Sequence, residues 1–249
     1  MLHVFQRHAI PIRAHLESAL VLAWALPAPA PAPYLVPGLT FDTFGGFAFL
    51  AIALVRTRNL RPAFLPANLG LDFCLSGYRV FTRYRTAAGR ELRGLRILRS
   101  NTDRLAMVLG GNLLTRYNYQ RSRWRVRRTP YVYEIEVATP DGRVDLHVTA
   151  DLVTPAALPP GSPFRDFREA RGFAGPLPFT FDYEPETHSI LRVEGVRQSW
   201  NPRPVNVEVN RAAFLEHGPL RAACPVLANA FFLEDLPYAW RPGIRERLP

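Results

Sequence analysis

The stretch from Arg121 to Asp151 limits the possible folds more than any other part of the chain. Trp124, Val126, Tyr131, Tyr133, Ile135, Val137, Val144, Leu146 and Val148 fall on one face. Arg121, Arg123, Arg125, Arg127, Glu134, Glu136, Asp145 and His147 fall on the other. An antiparallel sheet with one buried and one wet face produces this period of two. Thr129-Pro130 and Asp141-Gly142 read as the turns between three strands. Two-residue loops there put Arg125 opposite Glu134, Arg123 opposite Glu136, and Glu136 opposite His147. The expected result is a cross-strand triad, Arg123–Glu136–His147. It reads either as an exposed charge ladder, contributing about 0.2–1 kcal/mol per pair, or as an anion or acid/base site.

The same strand-rich reading extends along the chain. Leu16 to Leu26 is read as a buried first strand. It imitates a secretory signal, but its apolar core, Ala19 to Leu26, is short, His15 and Glu17 adjoin it, and Pro27 ends it. It is also too short to span a bilayer, so no membrane is expected, and the protein is assigned to the cytoplasm. Phe41 to Phe44, a Gly45-Gly46 turn and Phe47 to Val55 suggest a hairpin. Leu71 to Thr86 is a long strand with a bulge or bend at Gly77, and Leu92 to Leu98 returns beside it. Leu105, Val108, Leu109 and Leu113 then fall at helical spacing behind a cap at Asn101-Thr102-Asp103, which predicts a helix over 102–115. A short helix is read within Ser162 to Gly172. Strands are read at Phe179 to Tyr183, Ile190 to Val196 and Val205 to Val209, and a helical turn at Arg211 to His217. The 24 prolines favour many short connections. No repeat or linker divides the chain, so residues 1–249 are taken as one domain.

Composition removes whole classes of chemistry. All 31 basic residues are arginine, against 21 acidic ones, for a formal charge of +10. Without lysine there is no Schiff base and no Walker-type phosphate loop. Arginine binds anions but is a poor proton shuttle. The charge and the run Arg121-Ser-Arg-Trp-Arg-Val-Arg-Arg invite a nucleic-acid reading. That is the lesser reading, because total loss of lysine marks genome bias and Glu134 and Glu136 face the run. Cys74 and Cys224 lie in apolar contexts and are read as buried free thiols. No His/Cys spacing resembles a zinc site, so neither metal nor cofactor is expected. The histidines His3, His8, His15, His147, His188 and His217 accompany no Gly-x-Ser-x-Gly elbow. Glu184 with Glu186, and Glu234 with Asp235, sit beside prolines and read as solvated surface.

Several stretches resemble one family. Residues 34–51, Tyr-Leu-Val-Pro-Gly-Leu-Thr-Phe-Asp-Thr-Phe-Gly-Gly-Phe-Ala-Phe-Leu-Ala, resemble the L-x-P-x-G-L-x-x-D-x-x-x-G-x-A signature of the YqjF-like proteins, domain of unknown function 2071. Val55 to Pro66, Leu71 to Arg85, Asn112 to Arg123 and Phe231 to Trp240 resemble later segments of that family in the same order. The resemblance implies kinship with the acetoacetate decarboxylase-like superfamily. It therefore implies a mainly β (α+β) fold, a largely antiparallel, cone-shaped β-barrel with an internal pocket and a few short helices. It carries no activity over. In the decarboxylases a lysine in a Gly-x-Pro-Lys-Lys-like segment forms the Schiff base. The corresponding stretch here is Arg116 to Gln120, which has no lysine, so that mechanism does not transfer.

Arg116, Tyr117, Asn118 and Tyr119 are thereby the candidate ligand-binding residues. Tyrosine and asparagine can hydrogen-bond a carbonyl, and arginine can grip a carboxylate. The bland reading of the same cluster is aromatic packing at a helix-to-strand junction. The functional expectation is a small-molecule-binding protein or an enzyme of unassigned reaction, whose ligand is a small organic acid or carbonyl compound. The alternative is an interaction protein whose arginine-rich sheet face holds an anionic partner such as nucleic acid.

Overall fold

The computed structural model describes residues 2–175, 177–197 and 201–249. In chain order its strands are β1 (Ile12–Pro27), β2 (Leu39–Phe41), β3 (Phe47–Pro62), β4 (Leu71–Arg85), β5 (Glu91–Thr102), β6 (Tyr119–Arg121), β7 (Arg123–Arg128), β8 (Val132–Ala138), β9 (Leu146–Asp151), β10 (Phe179–Glu184), β11 (Ser189–Arg197), β12 (Arg203–Pro204), β13 (Asn206–Ala212), β14 (Val226–Trp240) and β15 (Ile244–Arg247). The helices are α1 (Leu105–Leu114), α2 (Phe167–Ala174) and α3 (Gly218–Ala222). None is long and apolar enough to cross a membrane.

Seven strands close on themselves in the order β14–β1–β3–β4–β5–β10–β11, with β11 returning to β14. Neighbours around this ring are antiparallel except β5 and β10. A second, four-stranded sheet runs β13–β9–β8–β7. Its apolar face, with Tyr133, Ile135, Val137, Leu146 and Val148, packs on Leu22, Ile52, Leu54, Tyr78 and Phe232 of the ring. The largest core therefore lies between the sheets, outside the ring. Two buried hydrogen bonds fasten them together. The Ser18 and Tyr133 hydroxyls lie 2.9 Å apart, and the Tyr78 hydroxyl donates to the Val144 carbonyl at 2.8 Å.

The ring closes where β11 meets β14. There the Tyr238 hydroxyl lies only 2.1 Å from where a Cβ on Gly195 would sit, so any larger residue at that seam would displace the Tyr238 ring. On the opposite side, the fully buried Asp42 carboxylate accepts from Arg83 Nε at 2.7 Å and Arg93 Nε at 2.6 Å. It anchors the chain after β2 to β4 and β5.

Some sequence expectations need correction. Between β7 and β8 the loop runs over 129–131, because the Thr129 backbone and hydroxyl bond to Val132 at the start of β8. The register is consequently Arg125 opposite Glu136 and Arg127 opposite Glu134, while Arg123 faces Ala138. Glu136 does lie opposite His147, but the triad Arg123–Glu136–His147 does not form. The slip is two residues, so every side chain keeps its face while its partner changes. Tyr131, on this loop, is 66% exposed. Phe41 to Val55 is not a regular hairpin, since β2 pairs with β4 and a single bridge joins Phe44 to Phe47. Thr102 ends β5, and α1 turns Met107 and Gly111 inward while Leu105, Leu109 and Leu113 stay exposed. Cys74 is half-buried and Cys224 exposed.

Removing the Tyr133 hydroxyl strands Ser18 in the core, so Tyr133→Phe is expected to lower the unfolding free energy by about 1–2 kcal/mol. Ile135→Ala, which opens a cavity between the sheets, should cost about 2–5 kcal/mol. Urea denaturation of the two variants against wild type measures both.

Candidate functional site

The inward-facing side chains of the ring leave a cavity of about 350 Å³. Its hollowness follows from small residues at inward positions, notably Ala19 on β1 and Ala51 and Ala53 on β3. Met107, Gly111 and Leu114 of α1, together with His8, close over it. Arg61, Arg79, Arg197 and His8 contribute to its lining, and no aspartate or glutamate does among the described residues.

Arg79 is the unusual group. It shares the inward parity of β4 with Phe73, Leu75 and Phe81. Its Nε is buried without a hydrogen-bond partner, and its guanidinium makes no ion pair among the described residues. Desolvation lowers its pKa, while Tyr238, Tyr119 and Tyr117 nearby act in the opposite sense. The guanidinium lies across Gly77, where a Cβ would be 3.0 Å from its terminal nitrogen. Ala53 faces Gly77 across β3 and β4, which keeps the space beneath it open. The other two arginines are engaged. Arg61 bonds the carbonyls of Leu65 and Asn59, and Arg197 reaches the Tyr238 hydroxyl at 3.4 Å.

The cluster 116–119 divides between two environments. Tyr117 and Tyr119 line the cavity, with ring centroids 6.4 Å apart. Burial raises the pKa of Tyr117 and pushes that of Tyr119 up to about 12, so both hydroxyls stay protonated. The Tyr117 hydroxyl is buried beside Thr180, outside hydrogen-bonding geometry. Arg116 turns away and pairs with Glu186 at 2.8 Å. Asn118 sits at φ 51° with its side chain exposed. The turn at Asn118 allows the flanking tyrosines to share one side.

Two carboxyls on β10 have opposite characters. Asp182 has a buried Oδ2 without a partner, and burial pushes its pKa up to about 6. Glu184, only 1% exposed, is held bidentately by Arg7 at 2.8 Å for both contacts. The Arg7 hydrogen bond, with help from Thr187, brings the Glu184 carboxyl down to about 2. Glu184 is therefore a buried clip for the N-terminal segment rather than solvated surface. Next to that clip, His8 is 7% exposed and its Nδ1 has no partner. Burial lowers its pKa.

On the second sheet, Arg125 bonds Glu136 at 2.7 Å, and Glu134 bonds both Arg127 at 2.7 Å and His147 at 3.0 Å. Arg128 pairs with Glu234. Carboxylates thus offset three arginines of the basic run. The His3 side chain lies outside the described residues. Arg79, Asp182 and the Arg7–Glu184 clip escape a reading of the residues alone. For Arg79 a signal did exist, a charge on the apolar parity of a strand and two residues after a glycine.

A family model, DUF2071, described as an uncharacterized conserved protein, matches residues 13–233. No curated protein matches the sequence. Among solved structures, the chain resembles acetoacetate decarboxylase from Legionella pneumophila at 12% identity and TM-score 0.61, covering 97% of this chain and 88% of that one. It resembles an acetoacetate decarboxylase-like enzyme from Sphingomonas wittichii RW1 at 13% identity and TM-score 0.61, covering 97% and 93%. The enduracididine biosynthesis enzyme MppR complexed with pyruvate aligns at 12% identity and TM-score 0.61, covering 95% and 90%. At such identities the likeness is one of fold, and the fold is the mainly β, cone-like one that the resemblance implied.

The two β10 carboxyls predict opposite pH signatures. Glu184 titrates in the folded chain at about 2, below its ordinary 4.5. Its contribution is therefore complete above about 4.5 and lost as pH falls toward 2. Asp182 titrates at about 6, above its ordinary 3.8. Its ionisation therefore penalises the fold above about 6, and the penalty fades by about 4. At neutral pH, Glu184→Gln should destabilise and Asp182→Asn stabilise, each by roughly 2 kcal/mol. Thermal melts across the pH range should show the Asp182→Asn gain vanishing first on acidification.

Proposed function

The chain belongs to the DUF2071 family, and on that premise we propose that its ring interior binds a small organic acid without covalent attachment, the carboxylate held by Arg79. The observation that carries this reading is a half-buried guanidinium, its Nε unpartnered, facing a cavity whose described lining lacks any acidic side chain. A buried charge left unpaired costs stability, and an anionic ligand supplies the missing partner. Tyr117 contributes its ring to the lining, while its protonated hydroxyl is buried beside Thr180, so the anchor in this reading is Arg79.

The absence of lysine excludes a Schiff base with a keto acid. The fold relatives add support by analogy only, one of them being complexed with pyruvate. Binding rather than turnover is the better reading. Of the described lining side chains His8 is the only imidazole and none is a carboxyl, and burial lowers the His8 pKa and favours its neutral form.

The test is a thermal-shift and calorimetric comparison of monocarboxylates on wild type, Arg79→Met and Arg116→Ala. Saturable stabilisation of wild type is expected. Arg79→Met should abolish it and raise the stability of the ligand-free protein by about 1–4 kcal/mol. Arg116→Ala should bind as wild type does, because Arg116 points to Glu186. Unchanged binding in Arg79→Met would remove the proposed anchor. Steeply salt-dependent binding to generic DNA, with no response to acids, would favour the arginine-rich face of β7 instead.

A further inference from the structure

We infer that the anion is an amphipathic monocarboxylate, with one carboxylate at Arg79 and an apolar body filling the rest of the ring, rather than a two- or three-carbon acid. This rests on the binding reading above and names its substrate class. Volume is the first ground. A cavity of about 350 Å³ corresponds to about a dozen waters at roughly 30 Å³ each. A short acid on Arg79 would leave most of that space to water.

The nature of the wall is the second. Between Leu16 and Val55, β1 and β3 present only apolar side chains to the cavity, including Val21, Ala53 and Val55. Water against such a wall has few partners, so an apolar body displaces it favourably.

Charge is the third ground. Arg61 and Arg197 already have partners, so Arg79 is the guanidinium that a ligand would satisfy. One such group matches one carboxylate, and a second carboxylate would be buried against hydrocarbon at a penalty. His8, its pKa lowered by burial, adds no second fixed charge. The ligand geometry is thus a charged head near β4 and a tail along β1 and β3.

The experiment is a calorimetric series of acetate, butanoate, hexanoate and octanoate, with octanamide as the neutral control. Affinity should rise about three- to four-fold per added methylene until the cavity is full. Octanamide should bind far more weakly than octanoate. Val21, half-buried on the wall, gives the positional test. Val21→Phe should lower octanoate affinity while leaving butanoate unchanged, and Ala19→Leu on the same strand serves the same purpose if the first variant does not fold. If acetate and octanoate bind equally through Arg79, the amphipathic assignment is overturned while the anion-binding reading stands. If octanamide matches octanoate and Arg79→Met alters neither, the carboxylate anchor falls as well. If no member of the series binds, both readings fall.

Discussion

Joining seven strands into a closed ring obliges each strand to face two different environments. Alternate side chains point out or in, and the closure leaves no free edge along which that choice could relax. Here the outward set is large and apolar, and it is glued to a second sheet through Tyr133, Ile135 and Leu146. The inward set includes Ala19, Ala51 and Ala53 and leaves a hollow. Most of the packing that holds the molecule together therefore lies outside the ring. That placement permits a cavity at the centre without hollowing the main core.

The stability so gained is partly given up at Arg79. A half-buried guanidinium without a counter-charge among the described residues is costly to keep, and the backbone around it makes specific room. Gly77 lies under it, Ala53 lies opposite Gly77, and the pairing of β4 with β5 shifts register between Tyr78 and Arg79. Gly195 makes comparable room for Tyr238 at the ring seam. Arg79 is thus accommodated by the geometry of the strands and not by a counter-charge among the described residues, unlike the structural ion pairs of Asp42 with Arg83 and Arg93.

Which parts of this were legible in the sequence follows from the range of each interaction. The faces of β7, β8 and β9 were readable because side-chain parity is local. The register was not, since it depended on whether Thr129 would bond back to Val132. A two-residue slip costs nothing in parity, so Arg123 lost Glu136 without any apolar residue changing sides. The long strand over Leu71 to Arg85 was also visible, but the role of Arg79 within it was not. In a chain where every basic residue is arginine, the one local signal for Arg79, a charge on the apolar parity of β4 just after Gly77, is easily passed over. Only ring closure distinguishes inward from outward on β4. For the same reason Tyr117 and Tyr119 could be nominated with Arg116 and Asn118 as a block, although the positive φ at Asn118 sends them to different places.

β4 shows what this division allows. Tyr78 and Val80 belong to the packed core, while residues of the alternate parity, Leu75, Arg79 and Phe81, line the cavity. The two sets are adjacent along the chain yet share no face of the strand. Solved structures that share the fold at only 11–13% identity over nearly the whole chain show how little of the sequence the framework itself dictates.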